Sequence, residues 1–206
     1  MKQKAVFFIR TYNAIDHTVP VMYKLIKTTN IEVVIILYGS KKYFNDYRIK
    51  YLNRDENVNV YHINDFSILQ NLKIKRSNIK TTCKIIYLKM SSYFDIVKKR
   101  KYQKIIVNKL IDNIFKESET GIVAFDWQAR SEDKVRFANM VIEAAKKREI
   151  AQICLPHGDS PDYNWMFKKE TIDYESIDQW GKNPFDIVVV PNNLCAKRYI
   201  QLHESS

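Results

Sequence analysis

The sequence predicts an α/β fold, and two observations support this prediction. Short, continuous apolar runs rich in Val, Ile, Phe and Tyr recur along the chain, and such runs are typical of parallel strands buried on both faces. Helical patterns separate several of these runs, which favours strand–helix–strand units. We therefore expect a Rossmann-like, mostly parallel sheet with helices on both faces. The predicted strands are residues 5–9, 31–38, 58–63, 83–88, 121–125, 150–155 and 185–190.

The five runs at 5–9, 31–38, 121–125, 150–155 and 185–190 are predicted to be the inner strands. A helix follows the first strand, with an apolar face at residues 21–26. Pro20 suits the first turn of this helix, and Asp16 or Thr18 suits its N-cap. Two more helices are predicted at 95–115, with a strongly basic face, and at 135–145.

Length and composition indicate a single domain. A chain of 206 residues with 46% hydrophobic residues is long enough to bury a substantial core, and no linker divides it. Its three cysteines are widely spaced and odd in number, which favours buried thiols over disulfides or a metal site. The first apolar run is too short for a signal peptide. We therefore expect a cytoplasmic protein, or one peripheral on the inner face of the cell membrane.

The positive charge is concentrated in the first part of the chain. Residues 1–118 contain 23 Lys and Arg against 9 Asp and Glu, whereas residues 119–206 contain 11 against 14. One cluster consists of Lys98, Lys99, Arg100 and Lys101. Such a surface attracts nucleic acid, anionic lipid or a phosphorylated substrate, and a solvated face is the alternative. Nucleic acid is the least favoured partner because no nucleic-acid-binding motif accompanies the charge.

Polar residues follow the first predicted strand. They are Arg10, Asn13, Asp16 and His17, near the start of a helix where an anion could be bound. No Gly-x-Gly-x-x-Gly fingerprint for a dinucleotide is present at this position. The alternative is that Asp16 only caps the helix and that His17 faces solvent.

A carboxylate follows the strand at 121–125. In open parallel sheets the chemistry collects beyond the carboxyl ends of the strands, so Asp126 could serve there as a general base or as an acceptor for a substrate hydroxyl. The alternative roles are capping the helix near Ser131 or pairing with Arg130.

The strongest signal follows the strand at 150–155. That apolar run stops at Pro156 and is followed by His157, Gly158, Asp159 and Ser160. An imidazole titrates near neutral pH and is suited to proton transfer or phosphate contact, while a glycine permits close approach of the backbone to a ligand. The alternative is a turn with an incidental histidine.

The sequence Pro156-His157-Gly158, together with the run at 185–190 leading through Pro191-Asn192 into a helix, resembles the N-terminal domain of GT-B-fold transferases. The pattern is similar to CDP-glycerol glycerophosphotransferases and to non-hydrolysing UDP-N-acetylglucosamine 2-epimerases. In the glycerophosphotransferases a His-Gly pair belongs to the active-site cleft and typically continues with Thr-Pro. This chain has Asp159-Ser160-Pro161 instead.

The resemblance implies that residues 1–206 are an acceptor-side domain. GT-B enzymes bind the acceptor on the N-terminal domain and the nucleotide donor mainly on the C-terminal domain. The chain ends one short helix after its last predicted strand, so we expect the donor domain to be absent and the isolated chain to be inactive. A nucleotide-activated donor is expected only in the full-length enzyme, and no other cofactor or metal is expected.

The leading prediction is a glycosyl- or glycerophosphotransferase half that acts in capsule or cell-surface polysaccharide synthesis on a sugar or lipid-phosphate acceptor. In this interpretation His157 is the base or phosphate contact, and Asp126 is a second carboxylate of the cleft. One alternative is a non-enzymatic binding or assembly subunit that needs a donor-domain partner. The other is a stand-alone α/β enzyme acting on a small phosphorylated molecule. We expect Arg10, His17, Asp126 and His157 to line a common cleft because each follows a strand end.

Overall fold

The computed structural model describes residues 3–63, 104–116, 119–126, 132–156 and 185–189, together with residues 193, 196, 197 and 200; of residues 132–136 only the backbone is described. These residues contain a six-stranded sheet in which every pairing is parallel. The predicted α/β, Rossmann-like fold class is thus confirmed. The strands are β1 (Gln3–Ile9), β2 (Glu32–Leu37), β3 (Val58–His62), β4 (Thr120–Asp126), β5 (Ala151–Leu155) and β6 (Ile187–Val188).

The strand order is β3-β2-β1-β4-β5-β6, which is the order of a doubly wound sheet. From β1 the chain proceeds outward to β2 and β3, then returns to the other side of β1 and proceeds outward again through β4, β5 and β6. The described helical segments are α1 (Tyr12–Thr28), a 3₁₀ helix (Lys41–Asn45), α2 (Tyr47–Leu52), α3 (residues 104–114) and α4 (Glu132–Lys146). None of the described helices is long and apolar enough to cross a bilayer.

Helices cover both faces of the sheet, and β1 shows why its sequence is continuously apolar. Ala5, Phe7 and Ile9 pack into the core beneath α1 and α2, whereas Val6 and Phe8 pack into the core beneath α3 and α4. Successive side chains of a strand point to opposite faces. A strand covered on both faces therefore has no polar side, as the apolar run had indicated.

The first helix begins earlier than the sequence had suggested, at Tyr12, which precedes both predicted N-caps, Asp16 and Thr18. Its N-cap is Thr11, whose Oγ1 accepts a hydrogen bond from the backbone N–H of Ala14 at 3.2 Å. Pro20 lies inside the helix, so its predicted place in the first turn is wrong. The prediction failed because the buried face of α1 already begins at Ala14 and Ile15, before the apolar run that had been used to place the helix. Asp16 consequently belongs to the second turn and does not cap the helix.

The predicted strand at residues 185–190 is present but shorter, because β6 spans only Ile187–Val188, and among the described strands it lies at an edge and not inside the sheet. Asp186 precedes it and binds β5 twice: its N–H donates to the carbonyl oxygen of Gln152 (3.1 Å), and its Oδ2 accepts from the N–H of Gln152 (3.0 Å). Ile187 is half exposed. The predicted strand at 83–88 and residues 95–103 of the predicted helix lie outside the described residues.

A nearly buried ion pair connects β1 to the turn between α3 and β4. Lys4 Nζ donates to the carbonyl oxygen of Ile114 and to Oε2 of Glu119, both at 2.7 Å, and the same Oε2 accepts from the N–H of Lys116 at 2.8 Å. The hydrogen bond from Lys4, followed by that from Lys116, holds the pKa of the Glu119 carboxyl below its usual value of 4.5. The ion pair lies at the amino end of β1, opposite the strand ends considered below.

Replacing Glu119 with glutamine is expected to lower the free energy of unfolding at pH 7 by about 1–2 kcal/mol, the range for a charge-assisted hydrogen bond that is partly exposed. Because the folded-state pKa is the lower one, this stabilisation is complete above the ordinary pKa of 4.5 and is lost as the pH falls through the folded-state pKa. Urea unfolding of both proteins between pH 7 and pH 3 measures the difference. A gap that stays constant down to pH 3 would contradict the assignment.

Candidate functional site

The crevice of this sheet lies beyond the carboxyl ends of β1 and β4. These neighbouring strands are paired in register, with Phe8 opposite Phe125, and the chain leaves them toward opposite sides of the sheet. Ligands of open α/β sheets bind at this topological switch point. Arg10 follows β1 and Asp126 is the last residue of β4, so both lie at the switch point.

Asp126 is a buried residue at the carboxyl end of β4. Asp126 is only 3% exposed, and its cross-strand neighbour in β5 is Leu155. Cys154 is a free, buried thiol, and burial first, and then the charge of Asp126, raises the pKa of this thiol to about 12. Cys154 therefore stays protonated at neutral pH and is no nucleophile. A carboxylate in such a place is a strong acceptor for a ligand hydroxyl.

The ends of β1, β2 and β3 are held together by backbone contacts. The N–H of Tyr38 donates to the carbonyl oxygen of Ile9 at 3.0 Å, which extends the pairing of β1 and β2 by one residue. The next residue, Gly39, approaches Arg10 so closely that a Cβ atom at position 39 would lie 2.1 Å from the carbonyl oxygen of Arg10. The loops after β1 and β2 are thus packed directly against each other.

His62 ends β3 and adds a third strand to this arrangement. Its Nε2 lies 3.1 Å from the carbonyl oxygen of Gly39, and the residue is 3% exposed. Because a carbonyl oxygen only accepts hydrogen bonds, Nε2 carries a proton in this contact. The imidazole also faces the ring of Phe44, with 6.4 Å between the ring centroids. His62 therefore holds the loop after β2 through its contacts with Gly39 and Phe44.

A lysine and two tyrosines, Tyr12, Lys42 and Tyr43, form what we call the Tyr12–Lys42 cluster. The rings of Tyr12 and Tyr43 meet edge to face with their centroids 4.7 Å apart. Lys42 Nζ lies 5.2 Å from the centroid of Tyr12 and 5.8 Å from that of Tyr43, which are cation–π distances. The backbone N–H of Lys42 donates to the Ser40 side chain that caps the 3₁₀ helix. An exposed cation and an exposed ring are thereby fixed beside the crevice.

The polar residues predicted after β1 divide into two groups. Asn13 lies exposed in the first turn of α1, near Arg10. Asp16 and His17 lie in the second turn, farther along the helix. The carboxylate of Asp16 pairs with the guanidinium of Arg48 and is thus part of the contact between α1 and α2.

The other predicted site residues lie outside the described part of the chain. They are His157, Gly158, Asp159 and Ser160, which follow β5 in the sequence, and the basic cluster Lys98, Lys99, Arg100 and Lys101. The last residue of β5, Leu155, pairs with Asp126, so β5 ends at the same edge of the sheet as β4. The roles of these eight residues stay predictions.

The sequence patterns had not singled out Gly39, Lys42, Tyr12 or His62. A usable signal was present, because Gly39-Ser40-Lys41-Lys42 and His62 each occur where a predicted strand ends, and strand ends carry the chemistry of parallel sheets. Among the residues that the structure describes, no group of three or more His, Cys, Asp and Glu side chains could hold a metal ion.

No protein-family model matches this sequence, and no curated protein matches it either. The function proposed below therefore rests on the sequence resemblance described above and on the arrangement of the chain's own residues.

Proposed function

We propose that this chain is the acceptor-side domain of a glycosyl- or glycerophosphotransferase that acts in capsule or cell-surface polysaccharide synthesis. One observation supports the proposal: the doubly wound sheet ends β4 with the buried residue Asp126 at the switch point, and Arg10 directly follows the neighbouring strand β1. A carboxylate and a cation at one crevice match an acceptor that has both a hydroxyl and a phosphate.

The chemistry assigns different tasks to these groups. In the transfer, the acceptor hydroxyl oxygen forms a bond to the anomeric carbon or the phosphorus of the donor, and the bond from that atom to the nucleotide breaks. The hydroxyl proton passes to a base, for which His157 is the candidate. Asp126 accepts a hydrogen bond from the acceptor and orients it, and Arg10 balances the charge of its phosphate.

The proposal assigns the donor to another domain or subunit. A nucleotide-activated donor would bind on that second half, and the two halves would close over the crevice. A lipid-phosphate acceptor would bring the protein to the cytoplasmic face of the membrane. There Lys98, Lys99, Arg100 and Lys101 would each contribute about 1 kcal/mol of attraction to anionic lipid, weakening as salt rises.

A stand-alone enzyme acting on a small phosphorylated molecule is the second candidate function. The cations at the carboxyl edge, Arg10 and Lys42, support it, because they suit a small phosphorylated ligand and require no donor domain. Nucleotide binding separates the two candidates. An acceptor half without its donor domain should bind nucleotides weakly, whereas micromolar nucleotide affinity would favour the stand-alone enzyme.

Replacing Asp126 with asparagine is expected to weaken the binding of glycerol 3-phosphate by about 10-fold or more, because the ligand hydroxyl loses a charged acceptor. Calorimetric titration of the purified chain measures the affinity, and CDP and UDP are titrated in parallel. Asp112→Asn is the matched control, since Asp112 pairs with Arg148 on the surface of α3. Thermal unfolding verifies that both variants are folded. Unchanged binding by Asp126→Asn, or micromolar affinity for either nucleotide, would contradict the proposed function.

A further inference from the structure

We infer that the Tyr12–Lys42 cluster is a subsite for a phosphorylated sugar, with the phosphate on Lys42 and the sugar ring against Tyr12. The subsite lies on the β1–β2 side of the carboxyl edge, whereas Asp126 lies on the β4 side. The inference deepens the proposed function by naming the class of acceptor, and it rests on that function for what happens to the ligand after it binds.

The charge of Lys42 is available to a ligand. Among the residues that the structure describes, no carboxylate forms an ion pair with its ammonium group, and the residue is exposed. Two other cations, on α1 and α2, are already paired with carboxylates: Arg48 binds Asp46 and Asp16, and Lys27 lies 3.9 Å from Asp55. The two tyrosine rings orient Lys42 without neutralising it, so an incoming phosphate meets a full positive charge.

The exposed ring of Tyr12 gives the subsite its preference for a sugar. The residue is 42% exposed although its ring packs edge to face against Tyr43, which is nearly buried. Small-molecule sites combine aromatic surface with a few fixed polar groups. Inorganic phosphate would use only the lysine. A sugar phosphate would use the lysine and would also place the C–H face of its ring on the tyrosine.

The subsite is preorganised by contacts that do not involve a ligand. Gly39 packs against the backbone of Arg10, His62 contacts the Gly39 carbonyl oxygen, and Ser40 caps the helical turn that bears Lys42. A loop fixed from three directions loses little conformational freedom on binding, which increases affinity. The same contacts fix the distance between Lys42 and Tyr12, because those residues follow adjacent paired strands.

Calorimetric titration of the full chain with glucose 1-phosphate, inorganic phosphate and glucose tests the inference. Glucose 1-phosphate should bind more tightly than either of the other probes. Lys42→Gln should weaken the binding of glucose 1-phosphate and of inorganic phosphate by about 10-fold or more, the scale of one lost charge-assisted contact. Tyr12→Leu should weaken the binding of glucose 1-phosphate several-fold and should change the affinity for inorganic phosphate less.

Two matched variants control for general effects of charge and aromatic surface. Lys24→Gln removes an exposed lysine of α1, and Tyr47→Leu removes a tyrosine of α2 that is 77% exposed. Both should bind glucose 1-phosphate as the unaltered chain does. An equal loss in Lys24→Gln would overturn the subsite, because net charge alone would then explain the binding.

The outcomes also separate the subsite from the proposed function. Glucose 1-phosphate binding that is insensitive to Lys42→Gln but weakened by Asp126→Asn overturns the subsite and leaves the acceptor role standing. Micromolar binding of CDP or UDP together with a strong Lys42→Gln effect overturns the acceptor role and supports the subsite. No binding of glucose 1-phosphate at millimolar concentration overturns the subsite.

Discussion

Replacing Gly39 with alanine is expected to lower the free energy of unfolding by about 3 kcal/mol, the upper part of the usual range for overpacking, and to abolish binding at the Tyr12–Lys42 cluster. The added Cβ would lie 2.1 Å from the carbonyl oxygen of Arg10 and 2.8 Å from Cε2 of Tyr43. The first obstacle is backbone, so the loops after β1 and β2 must separate. Displacing Tyr43 then removes the ring against which Tyr12 and Lys42 are oriented.

Gly121→Ala provides a matched control at the opposite edge of the sheet. A Cβ at position 121 would lie 2.0 Å from the carbonyl oxygen of Lys4, with which Gly121 is paired in register, and 2.9 Å from Cε1 of Phe115. We expect a similar loss of stability but unchanged affinity for glucose 1-phosphate. Urea unfolding gives the stability, and calorimetry below the unfolding transition gives the affinity. Equal loss of binding in both variants would mean that Gly39 acts on stability alone.

The fold class could be predicted because local pattern and burial agree in this chain. In β1 and β2, which pair from Lys4 with Glu32 to Ile9 with Leu37, almost every side chain is buried on one face or the other. A strand covered on both faces is apolar at consecutive positions, and that signal is present in the sequence without any knowledge of its neighbours.

The ends of the helices and strands were harder to predict from the sequence than the fold class. The start of α1 was misplaced because Pro20 suggests a first turn, although a proline also occurs inside a helix when packing outweighs the loss of one backbone hydrogen bond. At the other end of the chain, an apolar run at 185–190 suggested an inner strand, yet β6 spans only Ile187–Val188 and lies at an edge of the described sheet. Apolar content alone does not fix how many backbone groups find a partner.

The candidate site could be predicted only in part. Asp126 and Arg10 were found because each occurs where a strand ends, and that rule needs no tertiary information. The Tyr12–Lys42 cluster was not found, because its members are 30 residues apart in sequence and meet only through the pairing of β1 with β2. Strand order decides such contacts, and it cannot be read from apolar runs.

Replacing Phe8 with alanine is expected to lower the free energy of unfolding by about 3–5 kcal/mol, the range for a large core side chain. Phe8 is 1% exposed and joins the two halves of the sheet: its ring stacks on Phe125 of β4 at 4.8 Å between centroids. It also meets Phe137 of α4 at 6.0 Å and Tyr38 at 6.5 Å. The three rings surround the vacated volume, so a small residue leaves a cavity that they cannot fill without losing their own contacts.

A comparison of leucine variants at positions 8 and 7 isolates the contribution of the ring pairs. Phe7 is equally buried but packs against the opposite core, and the described residues include no ring contact with it. Leucine retains most of the apolar volume at both positions. Phe8→Leu should therefore lower the free energy of unfolding by about 1 kcal/mol more than Phe7→Leu does, which is the magnitude of aromatic pairing beyond burial. Chemical unfolding monitored by circular dichroism measures all three variants. Equal losses at the two positions would show that Phe8 stabilises the sheet by volume alone, because the stacking on Phe125 would then add nothing.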